Sequence, residues 1–117
     1  MQDYRKLVVW QKAHQLTLKT YAVSARLSEP RAWPLRDQLL RGSISVPANI
    51  SEGCGRGSNR DFKRFLLIAL GSLNEVEYDL LLARDLQFIP ESEHDSLVVQ
   101  LEEVRRMLSG LIASVSS

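Results

Sequence analysis

Residues 58–85 read SNRDFKRFLLIALGSLNEVEYDLLLARD and are the most informative part of this chain. Ser58 and Asp61 have the spacing of a capping box, which predicts a helix start. Apolar residues then recur in alternating steps of four and three, as Phe62, Leu66, Ala69, Leu73, Val76, Leu80 and Ala83. This repeat is typical of the core seam of a left-handed helical bundle. A helix ending before Gln87 is therefore predicted.

Three more helices are predicted, because apolar residues recur at helical spacing and no stretch alternates as a strand would. The first extends to about Leu27, with an apolar stripe of Leu7, Trp10, His14, Leu18, Tyr21 and Ala25. The second runs from about Leu35 to Ser51 and is stopped by three glycines in residues 53–57; its face carries Leu35, Leu39, Gly42, Val46 and Ile50. The fourth carries Leu97, Leu101, Val104, Leu108, Leu111 and Val115.

The fold class that follows is all-α, a single domain over residues 1–117. Its 117 residues, 44% hydrophobic and 25% charged, are ordinary for a soluble globular domain. Short loops favour antiparallel neighbours, so the prediction is an up-down-up-down four-helix bundle.

The cysteine and histidine content limits the chemistry and the location of the chain. A single cysteine, Cys54, forms no internal disulfide, and with His14 and His94 it does not complete a zinc site. The start lacks an apolar signal core, and no stretch is apolar enough to span a bilayer. We expect a cytoplasmic protein without metal, cofactor or membrane segment.

The third helix carries more apolar surface than one bundle face needs. A second stripe, rotated by about 140° from the first at ~100° per residue, consists of Leu67, Leu70, Tyr78 and Leu81. Either these residues flank a wide core stripe, or a second copy of the chain covers them. The prediction is homo-oligomerisation through this stripe.

The second helix contains Pro47, which lacks an N–H and clashes with the carbonyl of Ser43. A bend or local break is predicted there, with the side chains of Ser43 and Ser45 satisfying loosened carbonyls. Folding the second and third helices back at the glycine loop also predicts a polar layer at or near their packing surface. Its members are Arg41, Asn49, Ser72 and Glu75.

Charge is distributed unevenly along the chain. Residues 1–64 hold 12 Lys/Arg and 5 Asp/Glu, whereas residues 65–117 hold 3 and 9. This asymmetry favours either an anionic partner for the first half or pairing of the two halves within or between chains. The start of the third helix gathers four cations, where the helix dipole would welcome a phosphate of RNA or DNA. These are Arg56, Arg60, Lys63 and Arg64; aromatic residues are interpreted as not interleaving with them, so base stacking as in single-strand binders is not predicted.

The sequence contains few residues in an arrangement that would support catalysis. Residues 91–94 contain one Glu-x-x-His pair, but a di-iron bundle site needs two pairs and two further glutamates, so a solvated helix end is predicted. His14 is expected as a hydrogen-bonded core or interface residue. Neither histidine has the Arg-x4-6-His arrangement seen in helical RNA-cleaving domains. The expectation is that the chain is not an enzyme.

Several motifs together resemble a known family. They are Asp3–Leu7, Val9–Ala13, Gln38–Leu39, Arg41, Ser45–Ile50, Glu52–Gly53, Gly55–Arg56, Phe65–Leu66, Ile68–Ala69, Gly71–Leu73, Glu75 and Leu80–Leu86. They resemble bacterial four-helix-bundle proteins encoded in intervening sequences of 23S ribosomal RNA genes. The resemblance covers about residues 3–89, and the fourth helix matches only in pattern. Trp33–Pro34 and Cys54 stand where the family more usually has an aromatic-glycine pair and an aromatic residue.

The resemblance implies a bundle assembled as a ring of five, with no established enzymatic activity. Related bundles are accessory proteins of retroelements, in which a basic surface engages reverse transcriptase and nucleic acid. The function predicted is therefore a non-catalytic binding or scaffold protein that engages structured RNA or a ribonucleoprotein. The alternative is a protein–protein interaction module with no nucleic-acid role.

Overall fold

The computed structural model describes residues 2–116, which form four α-helices and no strand. Each helix packs against two others, so that α1 and α3 both contact α2 and α4. The all-α class and the four-helix bundle are thereby confirmed. The elements are a 3-10 helix (Tyr4–Lys6), α1 (Val8–Ser24), a second 3-10 helix (Pro30–Ala32), α2 (Trp33–Cys54), α3 (Asn59–Asp85) and α4 (Glu91–Ser114).

Helix α3 begins and packs as its sequence predicts. The Ser58 hydroxyl accepts a hydrogen bond from the Asp61 N–H at 3.1 Å, which caps the helix. All seven residues of the predicted stripe, from Phe62 to Ala83, are buried. The chain leaves the helix through Gln87, whose φ of 64° lies in the left-handed region. The alternating repeat thus identifies the core-facing side of α3.

The predicted core stripe of α1 is wrong. Leu18 and Tyr21 are about half exposed, and Trp10 and His14 are only partly buried. His14 instead stacks on Trp10, with ring centroids 5.1 Å apart. The buried face is rotated away from this stripe and consists of Val9, Ala13, Leu16, Thr17, Thr20, Val23 and Ser24.

Two threonines explain this error, because a polar residue at a core position obscures the apolar period. The Thr20 hydroxyl donates to the carbonyl of Leu16 at 2.8 Å. The Thr17 hydroxyl contacts two carbonyl oxygens, that of Ala13 at 3.1 Å and that of Ser43 in α2 at 2.7 Å. Both hydroxyls are satisfied, so their burial carries little penalty.

Helix α2 is longer than predicted and continuous through Pro47. It extends through Gly53 to Cys54, both buried, so the glycine loop begins later than expected. The helix is not broken at Pro47, and the predicted bend there stays a prediction. The Ser43 carbonyl, which loses its usual N–H partner at Pro47, accepts from Thr17 and not from a nearby serine. A neighbouring helix therefore supplies the missing hydrogen bond.

Helix α4 packs between α1 and α3. Its buried residues include the predicted Leu97, Leu101, Val104 and Leu108, while Leu111 and Val115 are partly buried against the core. Contacts to α1 and to Arg26 just after it follow in reverse order along α4: Lys12 with Glu103 at 3.0 Å, Lys19 with Ser96 at 2.9 Å, and Arg26 with Glu93 at 2.7 Å.

Candidate functional site

The four predicted cations at the start of α3 are brought together with two acidic residues. Arg56 donates to Glu52 at 2.9 Å, and Arg64 lies 3.8 Å from Asp61. Arg60 is exposed and Lys63 is partly buried, and neither forms an ion pair within residues 2–116. The six side chains carry a net charge of +2, and the four cations form the basic end of the molecule.

The interpretation that aromatic residues do not interleave with these cations is wrong, while the absence of base stacking stays a prediction. The Phe65 ring contacts two arginines, with the guanidinium of Arg56 at 4.7 Å and that of Arg64 at 4.5 Å from its centroid. Cation–π contacts of this kind contribute roughly 0.5–1 kcal/mol each at exposed sites. Arg56 is nine residues from Phe65 in sequence, so only the α2–α3 turn brings them together. The ring therefore fixes the orientation of two of the four cations.

A close approach of α2 and α3 builds this arrangement. A Cβ placed on Gly53 would lie 3.0 Å from both the Phe62 ring and the Phe65 Cβ, and 3.3 Å from the Phe62 carbonyl oxygen. Only glycine fits between the helices at this point. Gly53 thus seats Phe65 beneath the two arginines.

The N-terminal segment packs beside the basic end. The Gln2 N–H donates to the Cys54 carbonyl at 3.3 Å, and residues 2–5 line a shallow pocket together with Ser51 and Gly55. Arg5 and Lys6 follow within this segment. Arg5 lies 3.5 Å from Asp3, so this segment adds a net charge of +1 at the same end of the molecule.

The predicted polar layer is only partly assembled. The hydroxyls of Ser45 and Ser72 are 2.8 Å apart, and the Asn49 amide donates to the Ser45 hydroxyl at 2.9 Å. Arg41 and Glu75 are exposed on the same side of α2 and α3 and make no ion pair with one another. Ser45, which lies between the other members, is the residue that sequence reasoning left out of the layer.

The second stripe of α3 is largely uncovered in a single chain. Leu67, Tyr78 and Leu81 are 50%, 60% and 37% exposed. Leu70 is partly buried against the core. The α1 residues Leu18 and Tyr21 add a separate exposed apolar surface. The role of the second stripe of α3 as an oligomer interface stays a prediction.

Sequence reasoning missed two buried titratable residues. His94 is buried, not at a solvated helix end as predicted, and its Nδ1 lies 2.9 Å from Asp95 Oδ1. Asp79 lies on the flank of the α3 core stripe that faces away from the second stripe, and it is 8% exposed. Burial, reinforced by the charge of Glu75, raises the pKa of Asp79 to about 6. The only sequence signal for the burial of Asp79 was its position directly before the core residue Leu80.

Residues 2–116 contain neither a cluster of metal-ligating side chains nor a helix that could span a membrane. No three histidine, cysteine or acidic side chains converge there as a metal site would require. None of the helices described has an apolar stretch long enough to cross a membrane.

Burial raises the pKa of the Cys54 thiol, which disfavours the reactive thiolate.

Comparisons with known proteins place the chain in a family. The model of the 23S rRNA-intervening sequence proteins matches residues 5–110. The chain also superposes on the crystal structure of a protein of unknown function from the S23 ribosomal protein family of Bacteroides thetaiotaomicron, with a TM-score of 0.84 and 28% identity over 89% of this chain and 97% of the other. No curated protein matches the chain. On the extent of the family match, this chain belongs to the 23S rRNA-intervening sequence protein family.

Proposed function

We propose that this chain is a non-catalytic binding or scaffold protein of the cytoplasm. It engages structured RNA, or a ribonucleoprotein, through the basic end. The observation that carries the proposal is the stacking of Arg56 and Arg64 on Phe65 beside the exposed Arg60. DNA has the same phosphate chemistry and is the secondary nucleic-acid ligand.

The chemistry of the basic end suits phosphate. A guanidinium stacked on a ring retains its N–H edge for a phosphate oxygen, and its orientation is already restricted. The first-turn N–H groups of α3 favour an anion at the same end. Because these contacts read the backbone rather than base edges, we expect affinity with little dependence on base sequence.

Assembly would multiply these contacts. We infer an up-down-up-down bundle, which is supported by the reversed order of the α1–α4 contacts. We infer a homo-oligomeric ring, five subunits by family resemblance, which is supported by the exposed second stripe of α3. A ring repeats the basic end in every subunit, so that individually weak phosphate contacts add through multivalency.

A second candidate is a protein–protein interaction module with no nucleic-acid role. It is favoured by Glu52 and Asp61, which already pair with Arg56 and Arg64 and halve the net charge of the basic end. The partner in that case is a reverse transcriptase or another protein that offers acidic groups to Arg60 and Lys63.

Titration of a fluorescent RNA hairpin at about 50 mM salt tests the first candidate, since electrostatic binding is strong there. Wild type should bind, and Arg60→Ala/Arg64→Ala should bind at least about tenfold more weakly. The control is Arg36→Ala/Arg84→Ala, which removes the same charge from the opposite ends of α2 and α3. Equal losses in the two variants, or no binding by wild type, would favour the protein-partner alternative.

A further inference from the structure

A groove with a volume of about 710 Å³ lies between the first turns of α2 and the second half of α3. Its lining is mainly apolar and includes Pro34, Leu35, Leu82, Leu86 and Phe88. Glu75 and Asp79 also line it. The groove thus combines hydrophobic walls with two carboxylates on successive turns of one helix.

Asp79 has no counter-charge in this groove. The residue is 8% exposed, and its Oδ2 is buried without a hydrogen-bond partner within residues 2–116. A buried carboxylate without a partner destabilises a protein, so such groups are normally paired. Burial and Glu75 raise the pKa of Asp79 to about 6, which leaves it mostly ionised at neutral pH.

The one cation that lines the groove is already committed elsewhere. Arg31 donates to Glu29 at 2.6 Å, and its guanidinium lies 4.7 Å from the Phe88 ring centroid. No cation of residues 2–116 pairs with Asp79, so a second molecule can supply the counter-charge. Two carboxylates repel anions, and apolar walls suit a long side chain whose stem is hydrophobic. A guanidinium fits best, since it is more weakly hydrated than an ammonium and pairs with carboxylates through two N–H groups.

The chain itself carries arginines that can supply this group. Three exposed arginines, Arg41, Arg60 and Arg106, form no ion pair with a carboxylate of residues 2–116. The excess of cations in residues 1–64 and of acids in residues 65–117 gives a second copy the complementary charge. Tyr78 and Leu86, exposed at the groove, provide apolar surface for the same contact.

We propose that this groove receives an arginine side chain of a second copy of the chain, whose guanidinium pairs with Asp79 and Glu75. The inference rests on the homo-oligomer of the proposed function and deepens it by naming an acceptor site. Its test measures assembly and stability in the absence of RNA. The carboxylate is then a specificity device, which is unfavourable in an isolated chain and satisfied on assembly.

The test compares Asp79→Asn with Asp85→Asn, which removes an exposed carboxylate from the same helix. The concentration of half-dissociation is measured by light scattering on a dilution series, and thermal unfolding on dilute protein. Asp79→Asn should raise the dissociation concentration at least about tenfold while raising the unfolding temperature of the dilute chain. Asp85→Asn should change neither. Replacing a residue that is merely structural would not weaken assembly while stabilising the single chain.

The donor is identified by double-mutant cycles on dissociation that combine Asp79→Asn with Arg41→Ala, Arg60→Ala or Arg106→Ala. The arginine that fills the groove should show a non-additive effect with Asp79→Asn, and the other two additive effects. Additivity in all three cycles would overturn the proposal. An oligomeric wild type that Asp79→Asn leaves unchanged overturns this proposal alone, whereas a monomeric wild type overturns the proposed homo-oligomer as well.

Discussion

The hydroxyl of Thr17 in α1 lies 2.7 Å from the carbonyl oxygen of Ser43 in α2, the carbonyl that Pro47 leaves without its helical N–H partner. Both residues are buried. The proline defect of one helix is therefore repaired by the side chain of another. The energetic cost of Pro47 is thus coupled to the packing of α1 against α2.

Thr17→Val should lower the free energy of unfolding by about 1–3 kcal/mol, because it leaves a buried carbonyl unsatisfied. Adding Pro47→Ala should recover much of this loss, since alanine restores an N–H to the Ser43 carbonyl. Chemical denaturation of the four proteins of the cycle measures the coupling. Thr20→Val is the control, because Thr20 bonds only within its own helix. Equal losses for Thr17→Val and Thr20→Val would contradict this account.

The helix contact at Gly53 predicts a second pattern of stability changes. Gly53→Ala places a Cβ 3.0 Å from Phe62 and Phe65, so it should lower the free energy of unfolding by about 1–3 kcal/mol. Gly71→Ala and Gly110→Ala, in helices with nothing within 4 Å of the new Cβ, should raise it by about 0.5–1 kcal/mol. Thermal unfolding compares the three. If Gly53→Ala leaves the free energy of unfolding unchanged, the contact between α2 and α3 at Gly53 has room for a Cβ.

Asp79 predicts a pH dependence of stability in dilute, dissociated protein. Its pKa rises from the ordinary 3.8 to about 6 on folding, so between these values the folded chain holds a proton that the unfolded chain releases. Its contribution to the free energy of unfolding therefore falls as pH rises through this range, by about 2–3 kcal/mol, and is constant above it.

Urea unfolding of wild type and Asp79→Asn at several pH values measures this effect, because their difference removes the titration of the other groups. Asp79→Asn should gain stability relative to wild type from pH 4 to pH 7. A difference that is constant with pH would mean that the carboxyl is not perturbed.

The exposed second stripe of α3 predicts a change in assembly. Leu81→Glu should shift the wild-type mass, expected near five times 13.3 kDa, towards the single chain, because a carboxylate buried in an interface is costly. Light scattering measures the mass at micromolar concentration. Val99→Glu is the control, since Val99 is 69% exposed on α4 outside the stripe. Identical masses for wild type and Leu81→Glu would remove this stripe from the interface.

The sequence was most informative where helix packing depends on apolar residues alone. In α3 every core position is apolar, so the period is visible and all seven predicted residues are buried. In α1 two core positions are threonines whose hydroxyls bond to backbone, so the visible stripe pointed to the exposed face. A search for apolar periodicity treats threonine as polar. It contains no information on the backbone carbonyls that accept hydrogen bonds from the threonine hydroxyls.

The candidate site was predictable in composition but not in geometry. The four cations are adjacent in sequence or separated only by the glycine loop, so their clustering could be predicted. The Phe65 contact with Arg56 crosses the turn and depends on the close approach at Gly53, which no local pattern encodes. The burial of Asp79 likewise follows from the seating of α2 on α3, not from its neighbours in sequence.

The salt dependence of RNA binding tests the central claim most directly. The measurement is the slope of log affinity against log salt for wild type and Arg60→Ala/Arg64→Ala with one RNA hairpin. Each phosphate neutralised contributes about −0.7 to −0.9 to this slope, so the variant should have a shallower slope than wild type, with unchanged helical content. Parallel slopes for the two proteins, or no wild-type binding at about 50 mM salt, would contradict a phosphate-binding basic end.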